Sequence, residues 1–416
     1  MKRLAILSVH TSPIAAPGGK KVGGMNTYVR EIAQEFARRG IEVDIFTRRV
    51  SPLQPNIDSS LGEGVNVIHV NAGSAVEMGP TDIYPHLQQF TAGVIAHTIR
   101  RNISYDMIFS HYWLSGRVAQ MLKEAWGTPF VQMFHTLGHM KNRIPSVTSP
   151  VPEIRIRVET QVVEWADMII ANTPAERAQL LWLYHADRRK IVVCPPGVNT
   201  MRFYPVGREA ARDKLGISQD DNLLLFVGRI EPLKAVDSII EALHIMNRQP
   251  EALANTRLVI VGGDPKDCTD RDMMALQKLT KDYGMGDVVS FVGAKGQDDL
   301  VMWYAAATTV IMPSEYESFG MVALEAMATG TPVIASEVGG LAFLVRDGET
   351  GLLVPARAPQ QLAGAIVAML ADPARSRQMG VGAAALARDY AWHSIADRLL
   401  SNFAELPRTR RQTLVG

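Results

Sequence analysis

Cysteine is nearly absent. The chain of 416 residues holds two, Cys194 and Cys268, which are far apart and show no metal-ligand spacing. A disulfide-stapled secreted scaffold is excluded, and a reducing compartment is the natural setting. Net charge is equally scarce. Lys and Arg number 43 against 42 Asp and Glu, a balance of +1 with the signs interspersed. No bulk field therefore favours nucleic acid or an anionic membrane. No apolar run approaches the ~20 residues that span a bilayer. The opening stretch MKRLAILSVH lacks the apolar core and small-residue cleavage site of a secretory leader. The G-x-G-x-x-G dinucleotide fingerprint is missing, and Asp264 and Asp267 make no D-x-D after their strand. The expectation is a soluble cytoplasmic protein without a membrane segment, nucleic-acid partner, metal site or cofactor.

What is present is an alternation. Short apolar runs at 4–9, 106–110, 130–134, 168–172 and 191–194, with another strand at 43–47, alternate with helical patterns. Pro195-Pro196-Gly197 through Pro205 breaks the rhythm and reads as a linker. The rhythm then restarts with runs at 223–227, 258–261, 288–292, 309–312 and 332–335. Length and pattern together predict an α/β protein of two doubly wound, Rossmann-like domains, about 1–200 and 201–392.

The densest signal is PSEYESFGMVALEAMATGTPVIAS, residues 313–336. It reads as strand end, loop, helix, tight stop, strand. A helix that opens directly after a buried strand directs unpaired backbone N–H groups at one point, which attracts phosphate. Glu317 lies in the loop, and Ser318, Phe319, Gly320, Met321 and Val322 form the helix entrance. Glu325 follows Glu317 by eight residues, behind the anion site. Two acceptor carboxylates beside a phosphate site suit a ligand that carries both a diphosphate and sugar hydroxyls.

Other strand ends bear polar side chains on the rim where an open parallel sheet binds its ligands. Gly23 and Gly24 open a helix with Asn26 behind them, and glycines there let a ligand approach the backbone. Tyr112 follows one strand; His135 and Thr136 follow the next. Lys141, Arg155 and Arg157 come after and are suited to gripping a phosphate. In the second half, Gly228-Arg229 through Lys234 places two cations in a strand-to-helix loop. Fixed cations there would stabilise charge on a departing phosphate. Gly263, with Asp264, and Lys295, with Gly293, end later strands and frame a base and ribose.

The E-x7-E pattern resembles the retaining nucleotide-sugar glycosyltransferases of the GT-B fold, family 4 or group 1. The resemblance implies two nucleotide-fold domains across a cleft and a last helix, about 393–416, that crosses back to the first domain. It implies that Glu325 binds the nucleotide ribose, that the helix entrance binds the diphosphate, and that Glu317 faces the donor sugar. It assigns Arg229 and Lys234, within G-R-x-x-x-x-K, to the leaving group, and His135 to the donor sugar. The departing phosphate would take the acceptor's proton on the same face of the sugar, without a metal ion.

GGMN…YVRE, SHYWLSG and HTL…KN closely resemble the branch that glycosylates D-inositol 3-phosphate in mycothiol biosynthesis, with sucrose-phosphate synthase more distant. In that branch a lysine, a tyrosine, a threonine and an arginine hold the acceptor phosphate. Tyr112, Thr136 and Arg155 match three of them, while Pro80 stands where the lysine is expected. Asn26 matches a residue that contacts acceptor hydroxyls. The resemblance implies a UDP-sugar donor, glucose or N-acetylglucosamine, a small phosphorylated acceptor such as inositol phosphate or a hexose phosphate, and a possible homodimer. A lipid or polysaccharide acceptor, and a sugar-nucleotide epimerase of the same shape, stay open as alternatives.

Overall fold

A computed structural model describes residues 1–14, 23–146, 150–248, 253 and 255–406. Residues 407–416, the end of the expected crossover helix, lie outside them.

Fourteen strands form two sheets among the described residues. The first sheet comprises β1 (Arg3–Leu7), β2 (Glu42–Arg48), β3 (Ile57–Asp58), β4 (Val65–Val70), β5 (Met107–His111), β6 (Phe130–Met133), β7 (Met168–Ala171) and β8 (Ile191–Val193). Their order is β3-β4-β2-β1-β5-β6-β7-β8, parallel except for β3 against β4. The second sheet comprises β9 (Asn222–Val227), β10 (Thr256–Val261), β11 (Val289–Phe291), β12 (Thr309–Met312), β13 (Val333–Ser336) and β14 (Gly351–Val354). Their order is β11-β10-β9-β12-β13-β14.

Both sheets reverse direction of growth at their first strand, between β1 and β5 and between β9 and β12. At such a switch point the flanking loops leave in opposite directions and open a crevice. The segments that follow β1, β5, β9 and β12, loops or the first residues of the next helix, carry Gly23 and Gly24, Tyr112, Arg229 with Lys234, and Glu317 respectively. Topology alone therefore gathers most of the chemically marked residues at the two crevices.

Why each element forms is visible locally. Helix Gly24–Arg38 buries Tyr28, Val29, Ile32, Ala33 and Phe36 on one face, and Gly40 at φ 75° releases the chain into β2. Helix Met321–Ala328 has its last six residues buried. The strands at the switch points β1, β9 and β12 are near-continuous apolar runs, as a sheet covered on both faces requires, while β2, β5 and β6 interrupt theirs with Asp44, Ser110 and Gln132.

Three strands stand outside the apolar runs. β4, VNVIHV, interrupts its apolar residues with Asn66 and His69, and Asn66 bonds Asp44 at 2.9 Å. β3 is two residues long at the sheet edge, and β14 begins with Gly351, whose added Cβ would lie 2.0 Å from the Val333 carbonyl oxygen. Edge strands bury less and carry a weaker apolar signal.

The chain crosses between domains twice at one place. Val198 N–H donates to the Tyr390 carbonyl at 2.8 Å, and Trp392 N–H donates to the Val198 carbonyl at 3.3 Å. Helix Trp392–Phe403 then lays Trp392, Ile395, Leu399 and Phe403 against Leu4, Ile6, Tyr28 and Phe36 of the first domain. Among the described residues no helix is long and apolar enough to cross a membrane.

Candidate active site

The loop after β12 is held from three sides. Glu315 N–H donates to the Leu233 carbonyl at 3.0 Å, which ties it to the loop after β9. Its carboxylate accepts from Arg357 Nε at 2.6 Å. Gly340 N–H donates to the Glu317 carbonyl at 2.9 Å. The approach is close because Gly339 and Gly340 have no side chains: a Cβ would stand 2.2 Å from the Glu317 carbonyl oxygen at the first and 2.1 Å from Phe319 Cα at the second. Neither glycine stood out in the sequence, although a Gly-Gly pair just past a strand signals a near backbone neighbour.

Lys234 and Glu317 form an ion pair at this loop. Arg229, in the same loop as Lys234, is half exposed and pairs with Glu231 at 3.0 Å. Gly320 sits at φ 109° immediately before the helix, and a Cβ there would meet Leu341 Cδ2 at 2.7 Å, so only glycine makes this entrance. Ser318, Met321 and Val322 are half-buried around it. The Phe319 side chain is 2% exposed and part of the second domain's core, which leaves its backbone, the group that a helix entrance offers to an anion. Glu325 is buried and accepts from Tyr304 Oη at 2.9 Å. Burial pushes its carboxyl up to about 7, against the Tyr304 hydrogen bond. Gly263 at φ 59° and Gly293 at φ 73° belong to two loops joined by Ala294 N–H to the Gly263 carbonyl at 2.9 Å. Lys295 follows, half-buried.

In the first domain Tyr112, Thr136 and Arg155 come together. Arg155 Nη2 donates to the Thr136 carbonyl at 2.8 Å and hydroxyl at 3.1 Å, and the guanidinium lies 4.9 Å from the Tyr112 ring centroid. Arg155 Nε donates to Glu159 at 2.6 Å. Burial draws the guanidinium's pKa down, but Glu159 and Tyr112 more than offset it and leave it raised. Glu159 was not singled out in the sequence, though its place four residues after Arg155 on a helix is a signal for such a pair. Arg157 is exposed and takes no part in this cluster. Asn26 also departs from expectation. It is 3% exposed and gives its amide hydrogens to Thr11 Oγ1 at 2.6 Å and the Ser12 carbonyl at 2.8 Å, while accepting from Gly23 N–H at 3.1 Å. It braces the glycine loop.

His135 is half-buried beside the fully buried His111, with ring nitrogens 2.9 Å apart. Burial, and then His10, push His135 down to about 3, and burial lowers His111 as well. Both rings are neutral at pH 7, and one donates to the other. Tyr112 at φ 75°, His135 at φ 61° and Ala235 at φ 49° are left-handed without being glycine. Each such position costs on the order of 1–2 kcal/mol; Tyr112 and Ala235 come after β5 and β9, which border the crevices, and His135 comes after β6, the neighbour of β5.

The halves meet across the cleft. A Cβ on Gly24 would come within 3.2 Å of Met321 Cγ, and Met321 packs on the first domain's cluster. Lys141 lies near enough to Arg155, Glu231 and Arg229 for each to act on it. Burial and then Arg155 lower its pKa, and Arg229 lowers it further. Arg155 and Arg229 each carry a carboxylate partner, Glu159 and Glu231, and Lys141 lies within electrostatic reach of both pairs.

Comparison with known proteins agrees with this geometry. The family models described as Glycosyltransferase Family 4 and Glycosyl transferases group 1 match residues 22–202 and 207–385. A D-inositol 3-phosphate glycosyltransferase of Kineococcus radiotolerans is 43% identical, covering 96% of this chain and 94% of that protein. One of Thermobispora bispora is 42% identical, covering 100% and 98%. The structure of sucrose-phosphate synthase from Thermosynechococcus elongatus matches with a TM-score of 0.90 at 34% identity, covering 97% of this chain and 99% of that one. The chain belongs to the family 4, group 1 glycosyltransferases and has their GT-B fold.

Proposed function

We propose that this protein is a retaining glycosyltransferase that moves glucose or N-acetylglucosamine from a UDP-sugar to a small phosphorylated polyol or sugar, with inositol phosphate the first acceptor to test. The observation that carries the reading is the Lys234–Glu317 ion pair, which joins the loops after β9 and β12 just before the Gly320 helix entrance. A cation and a carboxylate held beside a helix N-terminus suit a ligand that carries both a diphosphate and sugar hydroxyls. The relatives named for D-inositol 3-phosphate support the acceptor class. Lys141, beside Arg155, supplies a cation near the phosphate site although Pro80 replaces the expected lysine.

In this reading the diphosphate rests at the entrance of helix Met321–Ala328, against Arg229 and Lys234. The bond from the anomeric carbon to the phosphate oxygen breaks as the acceptor oxygen bonds to the same face. The leaving phosphate takes the acceptor's proton. The protein contributes positioning and charge stabilisation. Glu317 and His135 orient the donor sugar, Glu325 takes the ribose, and Tyr112, Thr136, Lys141 and Arg155 hold the acceptor. Since Arg229, Lys234 and the helix entrance supply the positive charge, no divalent ion is required, and chelators should leave the rate unchanged.

A donor-by-acceptor screen that detects released nucleoside diphosphate tests this. UDP-glucose and UDP-N-acetylglucosamine are paired with inositol 3-phosphate, fructose 6-phosphate and glucose 6-phosphate. The expected result is release that requires an acceptor phosphate. Release with none of them, or conversion of the donor in the absence of acceptor, overturns the proposal.

A further inference from the structure

Gln297 stands where the two domains and the linker meet, and none of the roles above uses it. It opens helix Gln297–Ala306, directly after the Gly293 to Lys295 turn given to the base and ribose. Its carboxamide oxygen accepts from Arg30 Nη2 at 2.9 Å and from Arg202 Nη1 at 2.8 Å. Arg30 belongs to helix Gly24–Arg38 of the first domain, which also sets Gly24 against Met321. Arg202 lies in the linker, and its Nε donates to Asp298 at 2.8 Å, so two successive residues of the helix are held. Glu31 steadies both guanidiniums. Its carboxylate is 3.6 Å from Arg30 and 3.8 Å from Arg202, and it accepts from Asn199 Nδ2 at 3.3 Å. The other end of the same helix reaches the donor site. The Tyr304 side chain is fully buried, its hydroxyl donates to Glu325 at 2.9 Å, and its carbonyl accepts from Thr331 Oγ1 at 2.7 Å. One rigid element thus runs from a contact between domains to the carboxylate assigned to the ribose.

We propose that Gln297 is a positioning residue for the donor. Fastened by Arg30 and Arg202, it fixes the helix that holds Glu325 and the Gly293 to Lys295 turn in place for the nucleotide. This rests on the reading of the cleft as a glycosyl-transfer site. A guanidinium has donors only, so both arginines must face the carboxamide oxygen. Both bonds are charge-assisted, the stronger class. All three side chains are half-buried, which limits competition from water. Arg30 is part of the first domain and Gln297 of the second, so their bond exists only while the halves stand as they do here. Gln297 and Tyr304 are separated by roughly two turns of one hydrogen-bonded helix, which carries a displacement from one end to the other. Loss of the contact therefore frees the first turn and, through Tyr304, the seat of Glu325. Arg229 and Lys234 stand on a different loop, after β9, so stabilisation of the leaving phosphate is untouched. The effect falls on donor affinity.

Calorimetric titration with UDP tests the proposal in wild type, Gln297→Ala, Arg30→Ala, the double variant and Gln297→Glu, with thermal melts to confirm folding. Gln297→Ala should weaken UDP binding about tenfold, the scale of one charged hydrogen bond. Arg30→Ala should weaken it less, by about threefold, because Arg202 keeps its bond. The double variant should match Gln297→Ala within about twofold, since the contact is already gone. Gln297→Glu keeps an oxygen between the guanidiniums and should bind UDP at least as tightly as wild type. Wild-type affinity in Gln297→Ala, additive losses in the double variant, or a loss in Gln297→Glu equal to that in Gln297→Ala each overturn the proposal. The expected pattern, without transfer to any acceptor in the screen, overturns the proposed function alone. A wild type that does not bind UDP overturns both.

Discussion

Lys234 and Glu317, 83 positions apart in the chain, meet as an ion pair beside the entrance of helix Met321–Ala328. The pair holds both groups in place before substrate arrives, each side chain being 16% exposed. A donor's diphosphate would draw Lys234 away from the carboxylate and leave Glu317 free to accept from a sugar hydroxyl. The ammonium would then face charge that grows only as the bond to the phosphate breaks. Lys234→Ala should accordingly lower kcat by ~10²-fold or more, the scale for removing one charge-stabilising donor. Turnover at saturating donor is the measurement, and a near-normal value removes Lys234 from the mechanism.

Arg155 combines two duties that a conservative change separates. Its guanidinium reaches Glu159 and Thr136 at once, which the single nitrogen of a lysine cannot do. Arg155→Lys should keep the buried charge opposite Glu159 but raise the acceptor KM about tenfold, with donor KM little changed. That factor corresponds to one charged hydrogen bond of about 1.4 kcal/mol. Arg155→Ala should cost about 3–5 kcal/mol of stability as well, because it strands Glu159. Equal effects on both KM values would argue against an acceptor role.

The pH dependence of the unliganded protein has a predictable part. Glu176 is buried; one carboxylate oxygen accepts Asn172 N–H at 2.8 Å and the other has no hydrogen-bond partner. Burial raises its carboxyl from 4.5 to about 7. A carboxyl whose pKa is raised on folding contributes stability below its unfolded value and loses it as pH rises through the folded one. The loss falls between about pH 4.5 and 7, and for a shift of this size it is on the order of 3 kcal/mol. Glu176→Gln removes the charge, so its melting temperature should gain on wild type as the pH rises from 5 to about 7 and hold that gain at pH 8. A constant difference across that range would mean that Glu176 does not titrate there.

Much of the architecture was legible in the sequence because parallel strands buried on both faces are near-continuous apolar runs. The strands that escaped, β3, β4 and β14, are short, edge-placed or broken by Asn66 and His69, and so carry little of that signal. The marked residues of the site were legible for a related reason: they occupy loops after strands, where polar residues and glycines stand out between apolar runs. What the sequence hid was partnership. Nothing local says that Glu159 completes Arg155, that Phe319 turns into the core while Ser318 does not, or that Asn26 braces its own loop.

The glycines behind the Glu317 loop provide a steric test free of charge effects. Gly340 has no left-handed φ, so alanine there faces only the question of space. The added carbon would lie 2.1 Å from Phe319 Cα and 2.4 Å from the Phe319 carbonyl oxygen, both backbone atoms that cannot swing aside. The loop from Glu317 to Gly320 must move, and Lys234 loses its partner's position with it. Gly340→Ala should therefore weaken UDP binding by about tenfold or more, and destabilise the fold by about 1–3 kcal/mol, the range for overpacking a close contact. Gly364, in helix Pro359–Ala371, has nothing within 4 Å of an added Cβ and serves as the control. Gly364→Ala should leave UDP binding intact and stabilise by about 0.5–1 kcal/mol, as expected for alanine in a helix interior. Were Gly340→Ala to bind UDP like wild type, the helix entrance would not depend on the Gly340 contact, and the anion site would have to lie elsewhere in the cleft.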